Sequence, residues 1–264
     1  MPSPLELRDI ARTIAVEAGE LIARRRAEGV EIAASKSTSI DVVTFADRES
    51  EEFIKSRLAA LRPEDAFFGE ESGGANGASG LTWIVDPIDG TVNYLYGIPQ
   101  YAVSIAVVEG EANPETWNQL AGAVVNPIAG EVFTAARGHG AFLGNQQLHV
   151  NNESLLGHSL VATGFAYSSE LRSAQAQVLT HLLPQVRDIR RAGAASLDLC
   201  SVAAGRVDAY FERDTKPWDY AAGSLIVREA GGIVAGLGGR CEGPDMILAS
   251  NRSLFGQLES LLSA

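Results

Sequence analysis

The segment WIVDPIDGTVNY places two carboxylates at the end of an apolar run. Leu81 to Val85 is predicted to be a buried strand, and Asp86 follows it directly. Pro87 lacks an N–H group and interrupts the strand ladder, while Gly90 permits a backbone conformation that other residues avoid. Because residues three apart can converge in a tight turn, we expect Asp86 and Asp89 to face one point.

A phosphate and a metal are both compatible with this turn. Thr91 is predicted to open a helix, and the free N–H groups of a helix N-terminus attract anions. Two neighbouring carboxylates repel each other unless a proton or a cation intervenes, and a set of oxygen ligands favours Mg²⁺ over zinc. The alternative interpretation is an Asp-Pro turn with a capping aspartate, which is a common local structure.

Further acidic residues stand at the predicted ends of other elements. Glu70 and Glu71 follow the strand-like AFFG, Asp219 opens a predicted helix, and Asp47 is placed like an N-cap. Singly, Asp47 and Asp219 are more typical of helix caps. Together the acidic residues match a two-metal hydrolase, in which carboxylates hold the ions and an activated water attacks.

Other hydrolytic chemistries have less support in the sequence. There is no G-x-S-x-G nucleophile motif, and the four histidines are scattered along the chain. Haloacid-dehalogenase phosphatases also use an aspartate pair followed by Gly-Thr, but one residue separates their aspartates and the first is the nucleophile. Two residues separate Asp86 from Asp89, so this class is disfavoured.

The hydrophobic pattern predicts α+β structure followed by α/β structure, with a boundary near residues 145–155. We predict an N-terminal subdomain at 1–150 and a C-terminal subdomain at 151–264. The predicted helices are 5–26, 48–62, 169–183, 195–205 and 221–230. The predicted strands are 66–69, 81–85, 101–109, 122–126, 131–136, 141–143, 160–165, 188–193 and 209–213, with an antiparallel meander in the first half.

Composition limits the kinds of partner. The 264 residues carry a formal net charge of −12, which disfavours nucleic-acid and membrane-surface binding by bulk charge. No segment resembles a signal peptide or a membrane span, so the sequence predicts a cytoplasmic protein. Cys200 and Cys241 are predicted to be reduced thiols.

Several motifs together resemble the inositol monophosphatase family of Mg²⁺-dependent, lithium-sensitive phosphatases. The matching segments are DVVTFAD (41–47), GEES (69–72), WIVDPIDGTVNY (83–94), GAASLDLCSVAAGRVDAYFE (193–212) and KPWDYAAGSLIVREAGG (216–232). They most resemble the bacterial inositol-1-monophosphatase type. The resemblance implies a layered αβαβα sandwich of the inositol monophosphatase/fructose-1,6-bisphosphatase type, and a homodimer.

The resemblance also implies a set of Mg²⁺ ligands, for two to three ions per subunit. Glu70, Asp86 and the carbonyl of Ile88 would bind the first ion. Asp86, Asp89 and Asp219 would bind the second, and Glu70 with waters would hold a third.

The same resemblance implies catalytic roles for residues around the turn. Thr91, supported by Asp47, would orient the attacking water together with Glu70. The backbone N–H groups of Gly90 and Thr91 would receive the phosphate. Lys36 would approach the site on a loop.

On the substrate side, the resemblance implies that Glu212 bonds to inositol hydroxyls. A loop formed by Gly193, Ala194 and Ala195 would approach the ring. Some relatives have threonine or serine at position 194, so one hydroxyl contact is absent here. The complete implied substrate set is Asp89, Gly90, Thr91, Gly193, Ala194, Ala195, Glu212 and Asp219.

Four readings of the function remain open at this point. The first is hydrolysis of myo-inositol 1-phosphate, favoured by Glu212 and the GAA loop. The second is hydrolysis of histidinol phosphate, and the third is hydrolysis of fructose 1,6-bisphosphate or NADP by the same metal site. The fourth is a non-catalytic or additional role in binding the transcription machinery, as in some bacterial relatives.

Overall fold

The computed structural model describes residues 2–35 and 42–263. Its α-helices are α1 (Pro4–Glu28), α2 (Phe45–Leu61), α3 (Thr91–Tyr96), α4 (Ser169–Leu182), α5 (Ala195–Ala203), α6 (Pro217–Glu229) and α7 (Arg252–Leu262). Its strands are β1 (Ile32–Ser35), β2 (Val42–Thr44), β3 (Ala66–Gly69), β4 (Gly73–Ala75), β5 (Leu81–Asp89), β6 (Ala102–Glu109), β7 (Asn118–Asn126), β8 (Glu131–Ala136), β9 (Ala141–Leu143), β10 (Gln146–Gln147), β11 (Leu160–Thr163), β12 (Asp188–Arg190), β13 (Ala209–Glu212), β14 (Ile233–Ala235) and β15 (Ile247–Ser250).

The first half of the chain forms an eight-stranded sheet in the order β10-β9-β8-β7-β6-β5-β3-β4. The run from β5 to β10 is antiparallel throughout, which confirms the predicted meander. Strand β3 pairs in parallel with β5. All nine residues of β5 are buried, because both faces of the sheet are covered at that position.

The second half forms a five-stranded sheet in the order β12-β11-β13-β15-β14. Strand β11 is parallel to both of its neighbours, while β15 runs antiparallel to β13 and β14. Because β11 and β13 are parallel neighbours, their carboxyl ends bring residues 163–167 and 212–215 to the same edge of this sheet.

The layers confirm the predicted αβαβα sandwich. Helices α1 and α2 pack on one face of the large sheet, and α5 and α6 lie between the two sheets. Helices α4 and α7 cover the outer face of the small sheet. The middle core joins side chains from both halves of the chain, so the boundary near residue 150 stays a prediction.

Three local predictions are wrong in their boundaries. Asp47 is not the N-cap of α2, because the helix begins at Phe45 and Thr44 caps it; Asp47 is the third helical residue and completes a capping box. Strand β5 continues past Asp86 to Asp89, with an irregularity in its pairing between them. Helix α6 begins at Pro217 rather than Ala221, since proline is favoured in a first turn.

Three other sequence predictions concern the two cysteine thiols, membrane-spanning segments and the position of Lys36. Cys200 is buried and Cys241 exposed, and both are free thiols, as predicted. None of the helices in the described ranges combines the length and apolarity needed to cross a bilayer. Lys36 lies outside the described residues.

Candidate active site

The turn after β5 brings its two aspartates together by a break in the strand. Pairing with β6 is regular up to Asp86 and resumes only at Asp89, so the residues between them leave the ladder. The backbone N–H of Ile88 donates to Asp86 Oδ1 at 3.1 Å and tightens the turn. Asp86 and Asp89 are 2% and 7% exposed, respectively, so both carboxyl groups sit inside the protein.

Gly90 is required by both conformation and space. Its φ of +88° lies in the left-handed region, which glycine adopts without strain. A Cβ here would stand 3.0 Å from the carbonyl oxygen of Gln100 and 3.1 Å from that of Gly193. Helix α3 begins directly afterwards at Thr91, as the sequence predicted.

Four acidic side chains influence one another at this point. Burial raises the pKa of Asp86 well above its usual value, and the charges of Glu70, Asp89 and Asp219 raise it further. Burial also raises the pKa of Asp89 to about 6, although hydrogen bonds from Ser196 and Ala195 oppose the change. Asp219, in the first turn of α6, has its pKa raised well above normal by burial and then by Glu70 and Asp89. The fold therefore concentrates negative charge where the sequence predicted metal ligands.

The segment that carries Glu70 is held by another buried acid, Glu51, which was not predicted from the sequence. Glu51 of α2 accepts hydrogen bonds from the backbone N–H groups of Glu71 at 2.8 Å and Ser72 at 2.7 Å. Gly69 makes room for this carboxylate, since a Cβ there would lie 2.3 Å from Glu51 Oε2. No local motif marks Glu51, because it acts on residues about twenty positions away.

Asp47 and Thr91 are hydrogen-bonded across the site, as the predicted pairing requires. Thr91 Oγ1 lies 3.2 Å from Asp47 Oδ1 and 3.1 Å from the carbonyl oxygen of Ile88, and it can donate to either. The backbone N–H of Thr44 donates to Asp47 Oδ2 at 2.8 Å. Burial raises the pKa of Asp47 to about 7, with hydrogen bonds from Thr44 opposing and the charges of Glu70 and Glu71 adding to the rise.

The donor set fits a hard divalent cation by its chemistry. The clustered carboxyl groups offer only oxygen ligands, and their mutual repulsion favours a bound cation. Within the described residues, no three His, Cys, Asp or Glu side chains are already spaced to hold one ion. Binding of a cation would therefore draw the carboxylates closer together.

A cleft of about 130 Å³ opens beside these acids. Asp89, Gly90 and Asp219 line this cleft, so the acid cluster forms part of its wall. The predicted substrate residues Gly193, Ala194, Ala195 and Glu212 also line it. The structure thus brings together residues that lie more than 100 positions apart in the sequence.

Glu212 is placed by close packing at the end of β13. Tyr210 Oη donates to Glu212 Oε2 at 2.8 Å, and Gly164 leaves the space that the carboxylate occupies, since a Cβ there would lie 2.0 Å from Oε2. Burial raises the pKa of Glu212 to about 7, with the Tyr210 hydrogen bond opposing the rise. A carboxyl group in this position can form a hydrogen bond with a hydroxyl group in the cleft.

Two more positioning residues were not found from the sequence. The backbone N–H of Ser196 donates to Asp89 Oδ2 at 2.7 Å, and its hydroxyl bonds to the same oxygen. Asn93 Nδ2 donates to the carbonyl oxygens of Gln100 at 2.7 Å and Ala192 at 2.9 Å. Both residues lie within the segments that carry the family resemblance, but a motif does not reveal which partner a side chain meets.

Comparison with known proteins gives matches along most of the chain. The sequence profile of the inositol monophosphatase family matches residues 4–263. Inositol-1-monophosphatase of Mycobacterium leprae is 47% identical over 250 residues, covering 88% of this chain and 84% of the relative. A protein of Pasteurella multocida named Nus factor SuhB is 40% identical over 234 residues, covering 88% of this chain and 85% of the relative.

Solved structures share the fold over nearly the whole chain. Extragenic suppressor protein suhB from Bartonella henselae superposes with a TM-score of 0.89 at 36% identity, covering 97% of this chain and 98% of that one. The SaIMPase-II structure with bound inositol monophosphate has a TM-score of 0.79 at 28% identity, covering 97% of this chain and 92% of that one.

Proposed function

This chain belongs to the inositol monophosphatase family, and from that premise we propose that it hydrolyses myo-inositol 1-phosphate in a Mg²⁺-dependent reaction. One observation carries the proposal: a buried cluster of carboxyl groups forms part of the wall of a cleft that Glu212 also lines. The cluster suits a metal-bound phosphate, and Glu212 suits a hydroxylated leaving group.

The proposed metal ligands are the four acids and one carbonyl of the cluster. Glu70, Asp86 and the Ile88 carbonyl would hold one ion. Asp86, Asp89 and Asp219 would hold a second, and Glu70 with waters would hold a third. Bound Mg²⁺ would neutralise phosphoryl oxygens and lower the pKa of an attacking water.

The chain's own groups would orient the reactants. The Thr91 hydroxyl, held by Asp47, would accept a hydrogen bond from the water and fix its direction, with Glu70 as a second acceptor. The N–H groups of Gly90 and Thr91 would donate to the phosphate. The water oxygen would join phosphorus as the ester P–O bond breaks, and the proton that the water gives up would balance the proton that the released alcohol oxygen takes up.

The loop at Gly193, Ala194 and Ala195 would set the position of the alcohol. The loop approaches the turn closely, since a Cβ on Gly90 would lie 3.1 Å from the carbonyl oxygen of Gly193. Glu212 would bond to hydroxyl groups of the ring. This polyol-binding carboxylate favours inositol 1-phosphate over histidinol phosphate.

The test is phosphate release, with and without Mg²⁺, from inositol 1-phosphate, histidinol phosphate, fructose 1,6-bisphosphate and NADP at matched concentrations. We expect a Mg²⁺-dependent preference for inositol 1-phosphate and inhibition by Li⁺. Preference for another ester would overturn the assignment of the alcohol pocket. No release from any ester would overturn the proposed enzyme.

A second candidate function is binding to the transcription machinery, favoured by the name of the Pasteurella multocida relative. The Asp89→Asn variant separates the two roles, because a binding surface elsewhere would survive loss of a metal ligand. If this variant still binds purified transcription elongation complexes, the second role is supported. If the wild-type protein does not bind them, the second role is excluded.

We also propose a homodimer, as the family resemblance implies. Light scattering of the purified protein would give twice the 27.9 kDa chain mass for a dimer. A mass equal to one chain across micromolar concentrations would contradict it.

A further inference from the structure

Two arginines on the substrate side of the cleft have no part in the reaction proposed above. Arg191 and Arg213 line the cleft together with Glu212. Arg213 directly follows Glu212 at the end of β13, and Arg191 precedes the loop of Gly193. Both therefore stand in the part of the cleft that contains Glu212, the group assigned to the alcohol.

Arg213 forms no ion pair within the part of the chain that the structure describes. The residue is half-buried, and its Nε atom has neither exposed surface nor a hydrogen-bond partner within the described ranges. The adjacent acid, Asp214, pairs with Lys216 at 2.9 Å. Burying part of a guanidinium group without a partner is unfavourable, and an anion in the cleft would offset that cost.

Arg191 adds a second positive charge to the same wall. Its Nη1 atom lies over the loop, 2.6 Å from where a Cβ on Gly193 would stand. Its charge acts to lower the pKa of Glu212, so its guanidinium group is close to that carboxyl. The neighbouring Arg190 is paired with Asp188 at 2.6 Å, whereas Arg191 has no ion pair among residues 2–35 and 42–263.

Guanidinium groups bind phosphate and carboxylate through paired N–H donors. We propose that Arg191 and Arg213 form a second anion subsite, so that the cleft accepts phosphate monoesters whose alcohol carries a further phosphate or carboxylate group. This inference rests on the proposed phosphatase function and specifies its substrate class. The ester at the acid cluster is the bond that is cleaved, and the second anion only binds.

The test compares esters that differ in one anionic group. Fructose 1,6-bisphosphate is paired with fructose 1-phosphate, and 2-phosphoglycerate with glycerol 2-phosphate; the first pair reports on a second phosphate and the second on a carboxylate. We expect the wild-type enzyme to show a higher kcat/KM for the doubly anionic member of at least one pair, mainly through a lower KM. Equal values within both pairs would overturn the subsite.

Substitutions then locate the subsite. Arg213→Gln and Arg191→Gln should each reduce the preference about tenfold, the loss expected for one charge-assisted hydrogen-bonding group. Arg213→Lys should keep part of it, and the matched control Arg190→Gln should keep all of it. Variants that retain the wild-type preference would overturn the assignment, as would an equal loss in Arg190→Gln.

Failure of this inference differs from failure of the proposed function. If inositol 1-phosphate and the singly anionic esters are hydrolysed without any preference for a second charge, only the subsite is wrong. If Mg²⁺ supports phosphate release from none of the esters, the phosphatase itself is wrong.

Discussion

At the scale of single residues, Asp89 links the proposed metal to the proposed substrate. It belongs to the acid cluster through its charge, and it lines the cleft. Replacing it with asparagine removes one negative charge while keeping nearly the same shape and the hydrogen bonds that a side-chain oxygen can accept. Asp89→Asn should therefore abolish turnover and leave the circular dichroism spectrum unchanged. Near-full activity would show that Asp89 is not a metal ligand.

Ser196 offers a second residue-scale prediction, because its hydroxyl fixes the orientation of Asp89. Groups that orient a metal ligand typically contribute 10–100-fold in metal affinity or activity. Ser196→Ala should raise the Mg²⁺ concentration that gives half-maximal binding, measured by calorimetry, by about tenfold.

The matched control for Ser196→Ala is Ser224→Ala. Ser224 is also a buried serine, but its hydroxyl has no hydrogen-bond partner in the part of the chain that the structure describes. The control should leave Mg²⁺ affinity unchanged. An equal effect of both substitutions would mean that Ser196 acts through packing alone.

At the scale of secondary-structure elements, Asn93 ties α3 to the substrate loop. Its amide satisfies two backbone carbonyls, those of Gln100 and Ala192. Asn93→Ala would leave these acceptors unpaired, at a cost of about 1–3 kcal/mol each if they stay buried. Because the loop would shift, KM for inositol 1-phosphate should rise more than KM for p-nitrophenyl phosphate, which makes no use of Glu212.

The control for Asn93→Ala is Asn118→Ala, which removes the hydrogen bond that the Asn118 side-chain amide donates to Glu109, away from the cleft. It should change neither KM. Equal increases in KM for both esters in Asn93→Ala would show a general loss of structure instead of a loop displacement.

The elements also show what sequence can and cannot supply. The start of α3 at Thr91 was predicted correctly because the Gly90-Thr91 signal is local, whereas the strand was expected to end at Val85 and continues to Asp89. The N-cap of α2 was misplaced because Thr44 and Asp47 form a reciprocal box, and either residue could have been the cap. Glu51 was missed because its partners are brought near by the pairing of β3 with β5, which no local pattern encodes.

At the scale of the whole molecule, the fold gathers acids that repel one another. Burial raises the pKa of Asp89 to about 6 and those of Asp47 and Glu212 to about 7, above the values near 4 of unfolded chains. Groups with raised pKa values stabilise the fold fully below the unfolded value, and this contribution is lost as the pH rises through the folded value.

The metal-free protein should therefore lose thermal stability between about pH 5 and about pH 8. Thermal unfolding in EDTA would measure this decline, and Mg²⁺ should reduce it because the cation favours the ionised carboxylates. Asp89→Asn, with one acid fewer, should show a smaller decline. A Tm in EDTA that stays constant or rises over this range would contradict the prediction.

Assembly of the site from distant parts of the chain explains the remaining limits of sequence reasoning. Asp219 reaches the acid cluster from the first turn of α6, and Arg213 reaches the cleft from the end of β13. Family resemblance supplied the role of Asp219, because its motif is matched in this chain. Arg213 lies outside the quoted motifs, so its position in the cleft was visible only in the structure.

The most direct test of the central claim is phosphate release from inositol 1-phosphate by the wild-type protein in Mg²⁺, after EDTA, and after Mg²⁺ is restored. The proposed site predicts release in Mg²⁺, none in EDTA, and full recovery when the metal returns. Release that continues in EDTA, or its absence in Mg²⁺, would contradict the assignment of the acid cluster as a metal-dependent phosphatase centre.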